Sequence, residues 1–187
     1  MPKAKSRGRE SLTGGTGDVN PQWMVIQFTP TTPGTTQTVP FLCPINRVPQ
    51  SSTRATVMEC LKVVWEMPNI PNIGNVAETE FLYTATLGTQ DHGAVNTTWA
   101  TPDVFTMVKR ERNGAWSAGG SYSDISDQII EHDLTDGAGH GVLIATDTIM
   151  GQLQGTAAYA INMRARILYR VKNVSILEYV GIVQSQQ

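Results

Sequence analysis

Between residues 161 and 172 the chain alternates with a period of two. Ile161, Met163, Ala165, Ile167, Tyr169 and Val171 fall on one side; Asn162, Arg164, Arg166, Leu168, Arg170 and Lys172 fall on the other. Side chains of a strand point alternately to its two faces, so the stretch reads as a β-strand with an apolar face and a basic face. The apolar face belongs to a core. The basic face needs a separate account.

The rest of the chain repeats this logic in shorter pieces. "WMVIQF" (23–28) is the first ordered element, and "TPTTPGTTQTVP" (29–40) suits an extended loop or an edge strand. "ATVMECLKVVWEM" (55–67) reads as a long strand with Val57, Leu61, Val63, Trp65 and Met67 on one face and Glu59 as the exception. "TEFLYTATLG" (79–88) and "DVFTMVKRER" (103–112) are strands, the second ended by the Asn113-Gly114 turn signal. "DISDQIIEHDL" (124–134) fits a short helix or a strand, "DGAGHG" (136–141) a turn, and "VLIATDTIM" (142–150) one strand. "SILEYVGIV" (175–183) forms one helical turn or continues the pairing. About eight strands separated by Gly, Pro, Asn and Asp clusters, without a long amphipathic helix, indicate an all-β sandwich or barrel.

The 187 residues suit one domain, which buries roughly 70% of its unfolded surface and needs no disulfide or metal to fold. Cys43 and Cys60 form neither a disulfide framework nor a zinc pattern, and are read as buried free thiols of a protein made in a reducing compartment. The N-terminus is polar and basic rather than a secretory signal, and no apolar run reaches the roughly 18 residues of a membrane span, so no membrane partner is expected. Residues 1–22 lack aromatics and are read as a disordered arm ahead of one ordered domain, 23–187. The net charge of −2 hides an asymmetry. Lys3, Lys5, Arg7 and Arg9 stand in a stretch without acids, while the remainder has ten basic and sixteen acidic residues. A basic tail on an acidic body seeks a polyanion.

Signs of catalysis are lacking. There is no G-x-S-x-G elbow and no nucleophilic cysteine signature. His132, Asp133, Asp136 and His140 cluster near one turn without the spacing of zinc or calcium loops, so no metal and no cofactor is expected. "TGGTGD" (13–18) lacks the Lys-Ser/Thr of a phosphate loop and reads as linker. Aromatic and basic residues do not interleave along the chain, so contact with nucleic acid would run through phosphate without sequence preference. Two readings of the basic face stay open. It is a solvated surface paired with acids on neighbouring strands, of which 146–155 offers only Asp147, or it is a polyanion-facing surface of Arg164, Arg166, Arg170 and Lys172 acting with the arm.

"DGAGHGVLIATDTI" followed by "RILYRVKNVSILEYVGIVQSQQ" resembles the capsid proteins of small circular, Rep-encoding single-stranded DNA viruses, over residues 136–187. The resemblance implies a single jelly roll of two four-stranded antiparallel sheets. It implies a shell of sixty identical subunits around a circular single-stranded DNA genome, a host receptor, a place in the virion and assembly in the host nucleus. In such folds the sheet holding the last strand lies toward the particle interior, which would aim the basic face at the genome. The arm departs from the arginine-dense arms of the better-known relatives, since "PKAKSRGR" brings four charges per subunit. The competing class is a non-viral lectin-like or adhesin-like sandwich that would hold a ligand with loop residues such as Trp99, Trp116 and Tyr122.

Overall fold

The structure is a computed structural model and describes residues 20–29, 32, 34–45, 53–66, 79–92, 101, 103–113, 129–155 and 162–186. The strands are β1 (Gln22–Phe28), β2 (Thr36–Leu42), β3 (Arg54–Glu66), β4 (Thr79–Gly88), β5 (Val104–Asn113), β6 (Ile129–Asp133), β7 (Val142–Ile144), β8 (Thr148–Gly155) and β9 (Met163–Ser175). One helix, α1 (Ile176–Ser185), follows. One sheet runs β1-β9-β3, with β6 and β7 both pairing with the far edge of β3. The other runs β2-β8-β4-β5. Every pairing is antiparallel. Counting β6 and β7 as one interrupted strand gives four strands per sheet. The chain crosses repeatedly from one sheet to the other, which is the jelly-roll path.

The inner faces form one apolar core. Met163, Ala165, Ile167 and Tyr169 of β9 are buried in it, as their alternation predicts; Ile161 lies outside the described residues. Trp65 of β3 stacks on Phe28 of β1 at 6.3 Å between ring centroids, and Phe28 meets Phe41 of the opposite sheet edge-on at 5.8 Å. Gly151 of β8 leaves the room, since a Cβ there would stand 2.7 Å from the Phe28 ring and 2.8 Å from the Phe41 ring. A polar link also joins the sheets. The Trp65 indole donates to Thr106 Oγ1 (3.1 Å), and the Thr106 hydroxyl lies 2.7 Å from His132 Nδ1. Hydroxyl and imidazole share that hydrogen bond, with the donor set by the imidazole tautomer. Burial holds the His132 imidazole below its usual pKa.

Two sequence expectations are revised and one open alternative is resolved. The long strand 55–67 does not keep one parity, because a bulge between Cys60 and Lys62 shifts the register. Met58 and Cys60 face inward before the bulge, and Val63 and Trp65 after it. Val57 and Glu59 therefore face outward, opposite Lys172 and Arg170. Segment 142–150 is not one strand. β7 pairs with β3, and the chain crosses at 145–147 to enter the other sheet as β8. The ambiguous segment 124–134 contributes strand β6.

The C-terminal segment forms a ten-residue helix, longer than the single turn that the sequence admits beside continued pairing. Ser175 caps it by accepting from the Glu178 N–H at 3.2 Å. Tyr179, Ile182 and Val183, at helical spacing, cover Val57, Ala145 and Val174 on the outer side of the first sheet. Gln186 then ties the two sheets together. Its side chain accepts from Ala145 N (3.1 Å) and donates to Leu143 O, and its carbonyl accepts from Thr89 Oγ1 (3.3 Å) and Gln90 Nε2 (2.6 Å).

The β6–β7 connection passes directly over the bulge. Leu134 N donates to Leu61 O at 2.9 Å, and a Cβ on Gly141 would lie 2.1 Å from Cys60 O. Gly141→Ala is expected to cost about 1–3 kcal/mol, several degrees of Tm for a chain of this size. Gly181→Ala, in the open on α1, should instead raise stability by about 0.5–1 kcal/mol. Thermal melts of the two variants side by side check the contrast.

Candidate nucleic-acid interface

The outer face of β9 is built by its neighbours β1 and β3. Arg164 stands between Gln27 and Glu66, Arg166 between Val25 and Val64, and Leu168 between Trp23 and Lys62. Arg170 stands opposite Glu59, and Lys172 opposite Val57. The acids available to the basic face therefore come from β3. Asp147, the partner considered from sequence, precedes β8, which belongs to the other sheet.

Glu59 divides the basic face. Its side chain is fully buried, although it points outward, because cations and a glycine loop close over it. Arg170 Nε donates to Glu59 Oε2, Lys172 Nζ lies 3.6 Å from Oε1, and Gly141 N donates to Oε1 at 3.0 Å. The loop is shaped for this. Asp136 Oδ1 accepts from Ala138 N (2.9 Å) and His140 N (3.0 Å), and Gly137 and Gly139 hold positive φ of 79° and 87°. The turn so formed aims the Gly139 carbonyl at Arg170 Nη2, 3.1 Å away. Burial alone would push the Glu59 carboxyl up. The Arg170 hydrogen bond, the Gly141 N–H and the Lys172 and Arg170 charges outweigh it and hold the group below its usual range.

The other half of the face is open. Arg164 and Glu66, each with a half-exposed side chain, approach only to 3.9 Å, a contact worth between nothing and about 1 kcal/mol in water. Arg166 is exposed and has no acidic partner among the described residues. Lys62 turns to Glu131 at 3.0 Å. Of the cations singled out in the sequence, the structure thus brings Arg164, Arg166, Arg170 and Lys172 onto one face and engages the last two with Glu59. Lys3, Lys5, Arg7 and Arg9 lie outside the described residues, as do the loop aromatics Trp99, Trp116 and Tyr122. Arg170 differs from Arg164 and Arg166 in that it neutralises a buried carboxylate.

The histidines and acids of the 132–140 turn diverge. His132 points between the sheets to Thr106, Asp133 accepts from Thr135 N and Oγ1, Asp136 holds its own loop, and His140 Nδ1 lies 4.0 Å from Glu59. Among the described residues no three His, Cys, Asp or Glu side chains converge as metal ligands. Both cysteines are buried free thiols, and burial, then Cys43 and Glu59, push the Cys60 thiol well up. Sequence reasoning missed the role of Glu59, although a lone carboxylate within an apolar strand was the available signal. It also missed Trp23, which is half exposed beside the arginines.

The strand order and the two facing sheets define a jelly-roll β-sandwich. Among solved structures, the fold is similar to that of the Merkel cell polyomavirus VP1 unassembled pentamer, with a TM-score of 0.50 and 9% identity over 86% of this chain and 98% of that one. It is similar also to Merkel cell polyomavirus VP1 in complex with 3'-sialyllactosamine, with a TM-score of 0.51 and 10% identity over 86% and 98%. At such identity the likeness is one of fold. No protein-family model and no curated protein matches the chain.

Two outcomes are expected from the Glu59 cluster. Arg170→Gln should cost about 3 kcal/mol or more, since it leaves a buried carboxylate underpaired, whereas Arg164→Gln should stay within about 1 kcal/mol. A carboxylate with a depressed folded pKa adds stability above its unfolded pKa and loses it as pH falls through the carboxylate range. Tm measured from about pH 6 down to about pH 3 should therefore fall more steeply in the natural chain than in Glu59→Gln.

Proposed function

We propose that this protein is a self-assembling capsid protein of a small icosahedral virus, with a structural rather than a catalytic role. The observation that carries the reading is the complete jelly-roll strand order, a fold shared with VP1, joined to a last strand whose outer face presents Arg164 and Arg166 to solvent. The resemblance of residues 136–187 points to a circular single-stranded DNA genome, a shell of sixty copies, a host receptor, a place in the virion and assembly in the nucleus.

In this reading the outer face of the β1-β9-β3 sheet looks inward at the genome. Arg164 and Arg166 supply phosphate contacts together with the arm cations Lys3, Lys5, Arg7 and Arg9. Arg170 and Lys172 add positive potential while holding Glu59. Such contacts displace counterions and carry no base preference, so affinity falls with salt by about 0.7 in log–log slope per phosphate on a single strand. Sixty arms of four charges neutralise only a few hundred phosphates, which leaves the remainder to the inner wall, to divalent cations and polyamines, or to partial packaging.

Electron microscopy and size-exclusion chromatography of the recombinant chain test assembly. Closed particles of uniform size are expected, and a monodisperse monomer across salt and protein concentration would overturn the reading. For the site, Arg164→Gln with Arg166→Gln should lower the 260/280 nm absorbance ratio of purified particles and leave Tm within about 4 °C. An unchanged ratio with a lowered Tm would return these arginines to a structural role.

A further inference from the structure

The open half of the face carries more than charge. Trp23 on β1 is 51% exposed and Val25 is 59% exposed, at the outer edge of the sheet. Trp23 stands directly opposite Leu168, and Val25 opposite Arg166. Residues two positions along the facing strand lie about 7–8 Å away, within reach of an indole and of an arginine, so Trp23 has Arg166 and Arg170 as its diagonal neighbours. β1 itself contributes no acid: its other outward residue is Gln27, opposite Arg164. The outer side of the β1–β9 strip thus carries Trp23, Val25 and half-buried Leu168 beside exposed Arg164 and Arg166.

We propose that Trp23 is a stacking platform for an unpaired base, and that the β1–β9 strip binds single-stranded nucleic acid in preference to duplex, with phosphates on Arg164 and Arg166. The inference rests on the phosphate-binding reading of this face and adds base contact to it. A π-face beside guanidinium groups is what a single strand offers partners for, because its bases are free to stack while its backbone stays within reach of cations. A duplex keeps its bases stacked on one another and can use only the cations. Stacking tolerates any base, so the strip selects strandedness without selecting sequence. The arm adds to this local field. β1 opens at Gln22, one residue before Trp23, so a chain from Arg9 spans at most about 50 Å and the strip lies within that reach.

Fluorescence anisotropy of the full chain with labelled oligo(dT) and with a duplex of equal length, across a salt series, tests the proposal. Trp23→Ala should weaken oligo(dT) binding about 5- to 100-fold, leave the salt slope unchanged, and leave duplex affinity within about twofold; Trp23→Phe should retain most of the affinity. Arg164→Gln with Arg166→Gln should instead flatten the salt slope for both ligands. If Trp23→Ala binds oligo(dT) within about twofold of the natural chain, or weakens oligo(dT) and duplex equally, the stacking platform is overturned while the phosphate reading stands. Loss of assembly in Trp23→Ala with oligo(dT) affinity intact would make the strip a contact between copies and overturn the proposal as well. A natural chain that binds neither ligand at low salt would remove the phosphate reading and the platform together.

Discussion

A single extra residue in β3 organises much of this molecule. The bulge at Leu61 reverses the parity of the strand, so Met58 and Cys60 enter the core on one side of it while Val63 and Trp65 do so on the other. The same reversal turns Glu59 outward, where it meets Arg170. The bulge also interrupts the edge of the sheet. β6 pairs with Lys62–Glu66 and β7 with Met58–Cys60, and the connection between them lies over Cys60 and Leu61 so closely that only a glycine fits at 141. The loop that the bulge requires is the loop that buries Glu59.

A buried carboxylate is tolerated only when its lone pairs are answered. Here Arg170, Lys172 and the Gly141 N–H answer them, and the net effect keeps Glu59 ionised against its burial. This commits the C-terminal half of the basic strand to holding the fold. The N-terminal half, Arg164 and Arg166, has at most a weak surface pair among the described residues and stands over exposed apolar side chains of β1. Four cations that look equivalent in the sequence thus divide into two with an internal task and two that face outward.

The two sheets are joined by contacts of different kinds. Apolar packing through Trp65, Phe28 and Phe41 supplies most of the favourable free energy. The Trp65–Thr106–His132 chain satisfies polar groups that would otherwise be costly between the sheets, and burial there depresses the pKa of His132. Its depressed pKa means that this contribution is complete above the ordinary histidine pKa and declines as pH falls through and below it. Gln186 closes the opposite corner, where loop 89–92 of one sheet meets the 143–145 crossing from the other.

Period-two alternation in 161–172, the strand stretches 23–28, 79–88 and 103–112, and the Gly and Asn breaks between them were enough to read an all-β sandwich or barrel, because facing and burial in a strand follow directly from side-chain spacing. The Ser175-Ile-Leu-Glu178 box is a helix start legible in the sequence, although the segment also admits continued strand pairing. Other features could not be read locally. A bulge leaves no signature in composition, so the parity of β3 and the burial of Glu59 depended on which strand lay beside it. The split of 142–150 between two sheets depended on where β3 ended its pairing with β7. Trp23 and Arg166 are 143 positions apart in the chain and meet only through the β1–β9 register. Sequence by itself determined which residues alternate, and hence that a basic face exists. Tertiary pairing decided which of its charges are held by Glu59 and which stand beside an exposed tryptophan, because charge and aromatic neighbours across a sheet are set by register between distant strands rather than by distance along one.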